Sequence, residues 1–279
     1  MPDESVTTGT EPASRAGRNL PVAAGVGIVL AVLVLVSLYT VKWLFVVVVV
    51  TAISIAVYEV AAAVRSAGVV ISLVPIVAGS AIMVVAAYRD GADTLAVAYA
   101  LTMVVVIGTR LLSGRQGLVR DTVVSVFVVT YVALLASFAM LMLAQPDGPD
   151  RIVVFILAVV ASDTGGYAVG VVAGRHPMAP RVSPKKSWEG LAGSFGLGAV
   201  VSAVSFPLVF GAPWWQGALF GCVVVVTATL GDLGESLIKR DLGVKDMGRL
   251  LPEHGGLMDR LDSLLPTAPV AAVLLAALV

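Results

Sequence analysis

The sequence predicts an all-α membrane protein, a polytopic bundle of about nine transmembrane helices with its N-terminus in the cytoplasm. Three observations support this prediction: the composition, the length of the apolar runs and the placement of basic residues. Of the 279 residues, 58% are hydrophobic and only 13% are charged. A soluble domain is closer to half apolar and a quarter charged, so this chain must bury most of its surface in lipid.

The apolar runs match the thickness of a bilayer. A transmembrane helix needs roughly 20 consecutive apolar residues. The final run is short and contains Pro266 and Pro269, which makes it the weakest of the set. The nine predicted spans are about 20–41, 43–64, 69–88, 93–112, 122–144, 152–174, 190–210, 216–238 and 263–279.

The basic residues indicate the orientation. If nine spans alternate from a cytoplasmic N-terminus, 15 of the 18 Lys and Arg residues fall on the cytoplasmic side. Lys42, Arg89 and Arg151 fall on the other side. Cytoplasmic loops of membrane proteins carry such an excess. We therefore expect a multi-pass protein of the cell membrane with its chemistry facing the cytoplasm.

Three regions follow from the distribution of polar residues. Residues 1–19 are polar and rich in Thr, Gly, Pro and Ser, which predicts a disordered cytoplasmic tail. Residues 20–150 form N-terminal transmembrane helices with few polar groups, Glu59 being the main exception. Residues 151–279 carry acidic residues within their spans and the two longest basic loops, so this half is predicted to be catalytic.

Cysteine and histidine are too scarce for some kinds of site. Cys222 is the single cysteine, so an intrachain disulfide is impossible. His176 and His254 are the only histidines, which excludes a metal cage of several histidines. The formal net charge is zero and indicates no partner.

A carboxylate lies inside the eighth span. Asp232 is about six residues from the predicted cytoplasmic end, and a charge at such a depth is costly without a partner, an ion or a cavity. Glu235 and Ser236 share its helix face. The loop that follows adds Asp246, Asp259 and Asp262 among several Lys and Arg residues.

Carboxylates without histidine or cysteine clusters suit Mg²⁺, and neighbouring cations suit phosphates. The pattern therefore predicts Mg²⁺-dependent handling of a nucleotide or a phospholipid at the cytoplasmic face. The alternative is a salt-bridged helix end with a solvated loop.

A second polar cluster precedes the seventh span. Lys185 and Lys186 would either hold a triphosphate, aided by the N-terminus of the following helix, or serve as topology anchors and lipid-headgroup contacts. Trp188 is interpreted as an interface anchor. Upstream, Asp163 would lie near mid-membrane in an unbroken helix, and Gly165-Gly166 permits a break or close packing. Gly166, Gly170 and Gly174 form a stripe of small residues suited to helix packing.

These residues resemble the phosphatidate cytidylyltransferase family, also called CDP-diglyceride synthetases. The resemblance covers about 160–263, with a signature at 236–262 that has no departure from the family pattern. Ser162-Asp163-Thr164-Gly165, the run from Ser183 to Gly190, and Gly231-Asp232 are similar to the family's other motifs. The signature is met by Ser236, Lys239-Arg240, Lys245-Asp246, Gly248, Pro252, His254-Gly255-Gly256, Asp259-Arg260 and Asp262.

The resemblance implies that CTP and phosphatidate react to give CDP-diacylglycerol and pyrophosphate, with Mg²⁺ as cofactor. Asp232 and Asp259 are the predicted metal ligands and Asp246 is the third choice. His254 would either bond a phosphate oxygen or brace the adjacent glycine turn. The catalytic candidates are Asp232, Asp259, Asp246, Lys239, Arg240 and His254; the candidates for binding substrate or cofactor are Ser183, Pro184, Lys185, Lys186, Lys245, Gly255, Gly256 and Arg260.

The expected partners are CTP, phosphatidate and membrane lipids, with no nucleic acid, and Gly-rich helix faces would permit a homodimer. A transporter for an anionic substrate is the competing class, because transporters also place carboxylates in Gly-interrupted spans. It would require polar groups from both halves to converge at mid-membrane. A CDP-alcohol phosphotransferase is a third interpretation, but its Asp-Gly…Ala-Arg…Gly…Asp…Asp pattern is absent from this sequence.

Overall fold

The protein is built almost entirely of helices. A computed structural model describes residues 20–114, 116–248, 250 and 255–279. The predicted tail at 1–19 and His254 lie outside the described residues. The elements in chain order are α1 (Leu20–Thr40), α2 (Lys42–Ser66), α3 (Leu73–Leu112), α4 (Leu118–Val128), a π-helical turn (Val129–Leu134), α5 (Leu135–Leu143), α6 (Gly148–Ala173), β1 (Pro177–Ala179), β2 (Ser183–Ser187), α7 (Trp188–Phe210), α8 (Trp214–Asp241), α9 (Met258–Leu261) and α10 (Leu264–Leu278).

The helices have the length and composition of membrane spans. Seven helical runs in the described part of the chain are long and apolar enough to cross a bilayer, and residues Gly25–Thr40 of α1 form a shorter apolar stretch. Large apolar side chains such as Val172 and Leu208 are exposed on the outer helix faces. The predicted all-α polytopic class is confirmed. Two differences separate this count from the predicted nine: the predicted spans 69–88 and 93–112 join in α3, and the predicted span 20–41 is represented by the shorter apolar stretch of α1.

Helix α3 reverses direction at Gly91. This residue has φ 83° and ψ −162°, a left-handed conformation that suits glycine and interrupts the helix. A Cβ at Gly79 would overlap the side chain of Thr102, so the two halves are in contact. In a straight helix these residues would be about 34 Å apart at 1.5 Å per residue. The 40-residue helix therefore consists of two segments that pack against each other.

Contacts at the two ends of the bundle group the connections between helices. At one end, Lys42 Nζ donates to the carbonyl oxygen of Gln145 at 2.6 Å, and Tyr39 Oη donates to Asp150 Oδ1 at 2.7 Å. At the other end, Arg120 contacts the carbonyl oxygen of Gly68. Each contact joins connections that lie on the same side of the membrane if the nine predicted spans alternate.

Helices α6, α7 and α8 pack backbone to backbone. A Cβ at Gly165 would overlap the carbonyl oxygen of Gly193, and one at Gly166 would lie 2.5 Å from Ser194 Oγ. Ser194 Oγ in turn donates to the carbonyl oxygen of Ser162 at 2.7 Å. The glycine pair at 165–166 thus allows close packing within a continuous α6 and does not break it.

A small β-hairpin, which the sequence analysis did not predict, connects α6 to α7. Its antiparallel strands β1 and β2 pair Pro177 with Ser187 and Ala179 with Ser183. The hairpin brings the two lysines of β2 to the end of the three-helix unit formed by α6, α7 and α8.

Candidate active site

A polar cavity of about 270 Å³ lies where α6, α7 and α8 meet the hairpin. It contains both lysines of the second sequence cluster together with two acidic residues from different helices. The lining residues are Ser162, Asp163, Gly166, Tyr167, Met178, Lys185, Lys186, Ser187, Gly190, Leu191, Ser194, Thr229 and Asp232. The structure therefore unites predicted residues that are separated by up to 70 positions in the sequence.

A salt bridge crosses this cavity. Lys186 Nζ lies 2.6 Å from Asp232 Oδ2, and the two side chains are 25% and 33% exposed. Ser236 Oγ donates to the other carboxylate oxygen at 3.4 Å. This contact explains how α8 carries a carboxylate within a span, since Lys186 balances its charge. It also places Lys186 inside the cavity, whereas a residue that only contacts lipid headgroups would not need to lie there.

The lysine-bearing strand is fixed to the start of α7. Ser187 caps the helix by accepting a hydrogen bond from the backbone N–H of Gly190 at 3.1 Å. Glu189 Oε2 accepts from the backbone N–H groups of Arg175 and His176 at 3.1 and 3.2 Å. The Nδ1 atom of His176 also lies 2.5 Å from Glu189 Oε1. Both ends of the hairpin are thus attached to one helix terminus.

Described residues of the signature loop (residues 236–262) surround Asp259. Lys239 Nζ lies 2.7 Å from Asp259 Oδ1 and 3.0 Å from Glu235 Oε1. The Asp259 carboxylate also accepts backbone hydrogen bonds from Met247, at 3.0 and 3.1 Å, and from Gly256, at 2.8 Å. Asp259 is buried, with 5% of its surface exposed. Both of its oxygen atoms are therefore occupied within the protein.

The other signature residues are more peripheral. Lys245, Asp246 and Arg260 are exposed at this end of the bundle. Gly255 has φ 80°, which lets the loop turn tightly. A Cβ at this position would lie 3.2 Å from Asp259 Oδ2 and 3.5 Å from Asp246 Oδ1.

Two further predicted groups contact the hairpin or belong to it. Arg240 is exposed, and its Nε donates to the carbonyl oxygen of Val182 at 3.4 Å. Ser183 and Pro184 lie in β2 but do not line the cavity. The structure thus brings Lys185 and Lys186 to the cavity wall, whereas Ser183 and Pro184 lie outside it in the same strand.

The two predicted metal ligands make different contacts. Asp232 pairs with Lys186, whereas Asp259 pairs with Lys239. Among residues 20–114, 116–248, 250 and 255–279, no three Asp, Glu, His or Cys side chains converge as a metal-binding group. Mg²⁺ commonly takes one or two protein carboxylates and completes its shell with water and substrate phosphates. Asp232 with Asp163, which shares the cavity wall, fits that donor set.

The N-terminal half contains two buried polar groups, the carboxylate of Glu59 and the hydroxyl of Tyr131, that the sequence analysis did not assign to the site. Glu59 of α2 is buried and accepts a hydrogen bond from the backbone N–H of Met258 at 2.9 Å. The hydroxyl of Tyr131, on the π-helical turn, is buried and makes no hydrogen bond with the described residues. Glu59 was visible as a lone carboxylate in an apolar run, whereas nothing in the sequence distinguished Tyr131.

These features define a polytopic membrane protein whose polar site combines lysines and carboxylates at one end of a helical bundle. The chain belongs to the cytidylyltransferase family, whose model matches residues 22–278. It is 42% identical to the phosphatidate cytidylyltransferase of Mycobacterium leprae, over 95% of this chain and 90% of that protein. It is 39% identical to the proteins of the same name from Mycobacterium bovis and Mycobacterium tuberculosis, over 94% of this chain and 90% and 84% of those proteins. The family resemblance predicted from the signature is confirmed.

Proposed function

We propose that this protein transfers the cytidylyl group of CTP to phosphatidate, forming CDP-diacylglycerol and pyrophosphate for phospholipid synthesis. The observation that carries the proposal is the cavity in which Lys185, Lys186 and Asp232 meet, in a chain of the cytidylyltransferase family. Cations and carboxylates in one wall suit a metal-bound triphosphate. A membrane-embedded bundle suits a second substrate with lipid tails.

The triphosphate of CTP binds to the hairpin and the start of α7. Lys185 and Lys186 supply positive charge, and the helix N-terminus provides a favourable dipole. Because the side chain of Ser187 caps this helix and Glu189 fixes the hairpin, both lysines are held in position before the substrate arrives. Preorganised cations of this kind lower the cost of binding a polyanion.

The expected cofactor is Mg²⁺, which Asp232 would hold together with Asp163. Asp259, the other ligand expected from the sequence, has both oxygens occupied by Lys239 and backbone N–H groups, which favours a supporting role. When bound, the cation would neutralise phosphate charge and stabilise the leaving pyrophosphate. The chain's own contribution is to place carboxylates opposite the lysines.

The reaction needs positioning more than acid–base catalysis. A phosphate oxygen of phosphatidate, already ionised at neutral pH, attacks the α-phosphorus of CTP. A new P–O bond forms as the bond to the β-phosphate breaks, and pyrophosphate leaves with the electron pair. The difficulty lies in bringing two polyanions together, and the lysines reduce their repulsion.

A direct assay tests this function. Detergent-solubilised protein is supplied with CTP labelled in its cytosine ring, phosphatidate and Mg²⁺, and the lipid fraction is examined for a labelled CDP-lipid. Omitting phosphatidate should remove the labelled product. Labelled CTP that never enters the lipid fraction would contradict the proposal.

The proposed topology has nine crossings with the N-terminus and the site in the cytoplasm. The two packed segments of α3 and the apolar helix α1 support this number. The excess of basic residues at the end that carries the cavity supports the orientation. The cell membrane is accordingly the proposed location.

Cysteine labelling in intact cells should report this orientation. In a Cys222→Ala background, a cysteine replacing exposed Arg181 should resist an impermeant thiol reagent until the cells are permeabilised. A cysteine replacing exposed Gln145 should be labelled in intact cells, because it lies at the opposite end. The reverse pattern would overturn the orientation.

The two cavity lysines should govern the affinity for CTP. Changing Lys185 or Lys186 to Ala is expected to raise the KM for CTP about ten- to a hundredfold, since a charge-assisted contact contributes roughly 1.5–3 kcal/mol. Arg181→Ala, on the hairpin but outside the cavity wall, is the matched control. Steady-state kinetics with CTP varied at saturating phosphatidate provide the measurement. Lower protein levels with an unaltered KM would support the anchor interpretation.

A further inference from the structure

A carboxylate on a helix of the N-terminal half forms a hydrogen bond with the signature loop. Glu59 of α2 is 5% exposed, and its Oε2 accepts a hydrogen bond from the backbone N–H of Met258 at 2.9 Å. The two residues are 199 positions apart in the sequence. Oε1 of Glu59 makes no hydrogen bond within the described part of the chain.

Two glycines of the loop close around this carboxylate. A Cβ at Gly248 would overlap the Glu59 side chain, the source of its three nearest atoms. A Cβ at Gly256 would lie 2.7 Å from Glu59 Oε2 and 2.7 Å from the backbone nitrogen of Gly248. The loop backbone therefore wraps the Glu59 side chain at a distance that a larger residue would prevent.

The same stretch of loop surrounds Asp259. Met258, which donates to Glu59, directly precedes Asp259, and Gly256 donates to the Asp259 carboxylate at 2.8 Å. Asp259 also binds Lys239 of α8. The hydrogen bond to Glu59 thus restrains the backbone that carries Asp259 and, through it, the side chain of Lys239.

We propose that Glu59 is a positioning residue that holds the signature loop in its reactive arrangement, an inference that rests on the proposed function. A buried carboxylate within a span is expensive, and an apolar residue there would be expected to favour folding. Glu59 contacts the loop and does not line the cavity that holds Lys185 and Lys186. Its removal should therefore impair turnover and spare CTP binding.

The first experiment counts CTP sites and turnover on the same preparation. In Glu59→Ala, isothermal titration should give a stoichiometry and Kd for CTP close to those of the wild type. Turnover per CTP-binding site should fall about ten- to a hundredfold, as expected for loss of a charge-assisted hydrogen bond. Glu59→Gln retains an acceptor for the Met258 N–H and should recover most of that loss.

A matched control separates positioning from folding. Val46→Ala removes buried volume from the same helix about 20 Å away along its axis. It should lower thermal stability without changing turnover per CTP site. If the number of CTP sites in Glu59→Ala fell in parallel with turnover, the role of Glu59 would be structural and the proposal would be wrong.

A double-mutant cycle tests the contact itself. Gly248→Ala should impair turnover in the wild type but add little to Glu59→Ala, because the overlapping side chain is then gone. Gly256→Ala should remain harmful in both backgrounds, since its Cβ also meets the Gly248 backbone. Additive effects of Gly248→Ala and Glu59→Ala would contradict the contact.

The outcomes separate the proposed function from this inference. A wild type that binds CTP but makes no CDP-diacylglycerol would refute the proposed function. An active wild type with the same turnover as Glu59→Ala would refute only this inference.

Discussion

Replacing Asp232 with Asn is expected to abolish most turnover, by on the order of a thousandfold, while the protein still inserts and folds. Asn preserves the shape of the side chain but removes the charge that faces Lys186 and, as proposed, Mg²⁺. Losing an ion that balances charge in the transition state should cost several kcal/mol of barrier, and each 1.36 kcal/mol is tenfold in rate. The effect should fall on kcat, because the lysines that we propose to bind CTP are retained.

Turnover measured over a range of Mg²⁺ concentrations checks this result. High Mg²⁺ should partly restore Asp232→Asn, since Asp163 remains in the cavity wall. The control is Asp150→Asn, at the opposite end of the bundle, where Asp150 accepts a hydrogen bond from Tyr39. It should change turnover little. Near-normal Mg²⁺-dependent synthesis by purified Asp232→Asn would contradict this metal assignment.

Asp259→Asn is expected to reduce turnover about a hundredfold and to lower the thermal unfolding temperature as well. Asp259 accepts from Lys239 and from two backbone N–H groups, so it uses both oxygens as acceptors. In Asn the amide NH₂ group replaces one of these oxygens, so two hydrogen-bond donors would face each other and one hydrogen bond would be lost. An unpaired buried group costs about 1–3 kcal/mol, and more if charged. Lys239 would also lose an ionic partner.

Two measurements distinguish this loss from that of Asp232→Asn. Added Mg²⁺ should not restore turnover in Asp259→Asn, because the defect lies in the loop. The thermal unfolding temperature should fall further in Asp259→Asn than in Asp232→Asn, because Asp259 is buried and its loss leaves Lys239 with Glu235 as its remaining ionic partner. If added Mg²⁺ did restore turnover in Asp259→Asn, Asp259 would instead be a metal ligand, as expected from the sequence.

Much of the architecture was predictable because the bilayer imposes a length and a polarity on each helix. The apolar runs located the helices, and the polar motifs singled out Lys185, Lys186 and Asp232, which the structure brings to one cavity. The break between the runs at 69–88 and 93–112 was also visible, and in the structure it is a reversal of direction at Gly91 of α3. Such features depend on local composition, which a sequence displays directly.

The partners of individual charges were not predictable. The hydrogen bonds that Asp259 accepts from the loop that contains it were not apparent from the sequence, and its role as a metal ligand stays a prediction. Glu59 lies in a half of the chain whose predicted spans have few polar groups, and its partner is a backbone N–H with no side-chain signature. The hairpin at Pro177–Ser187 is held by Glu189, which accepts hydrogen bonds from the backbone N–H groups of Arg175 and His176. The spacing of these residues in the sequence does not reveal this contact.

The close glycine contacts have a consequence for how the protein is made. Helices α6, α7 and α8 are consecutive in the chain, and α6 and α7 touch through Gly165 and Gly193, so this unit can assemble soon after synthesis of α8. The contact from Glu59 spans 199 positions and cannot form until Met258 has been synthesised. Contacts of such long range form slowly because a long segment must first be closed. The cavity formed by α6, α7, α8 and the hairpin can therefore assemble before the hydrogen bond between Met258 and Glu59 forms.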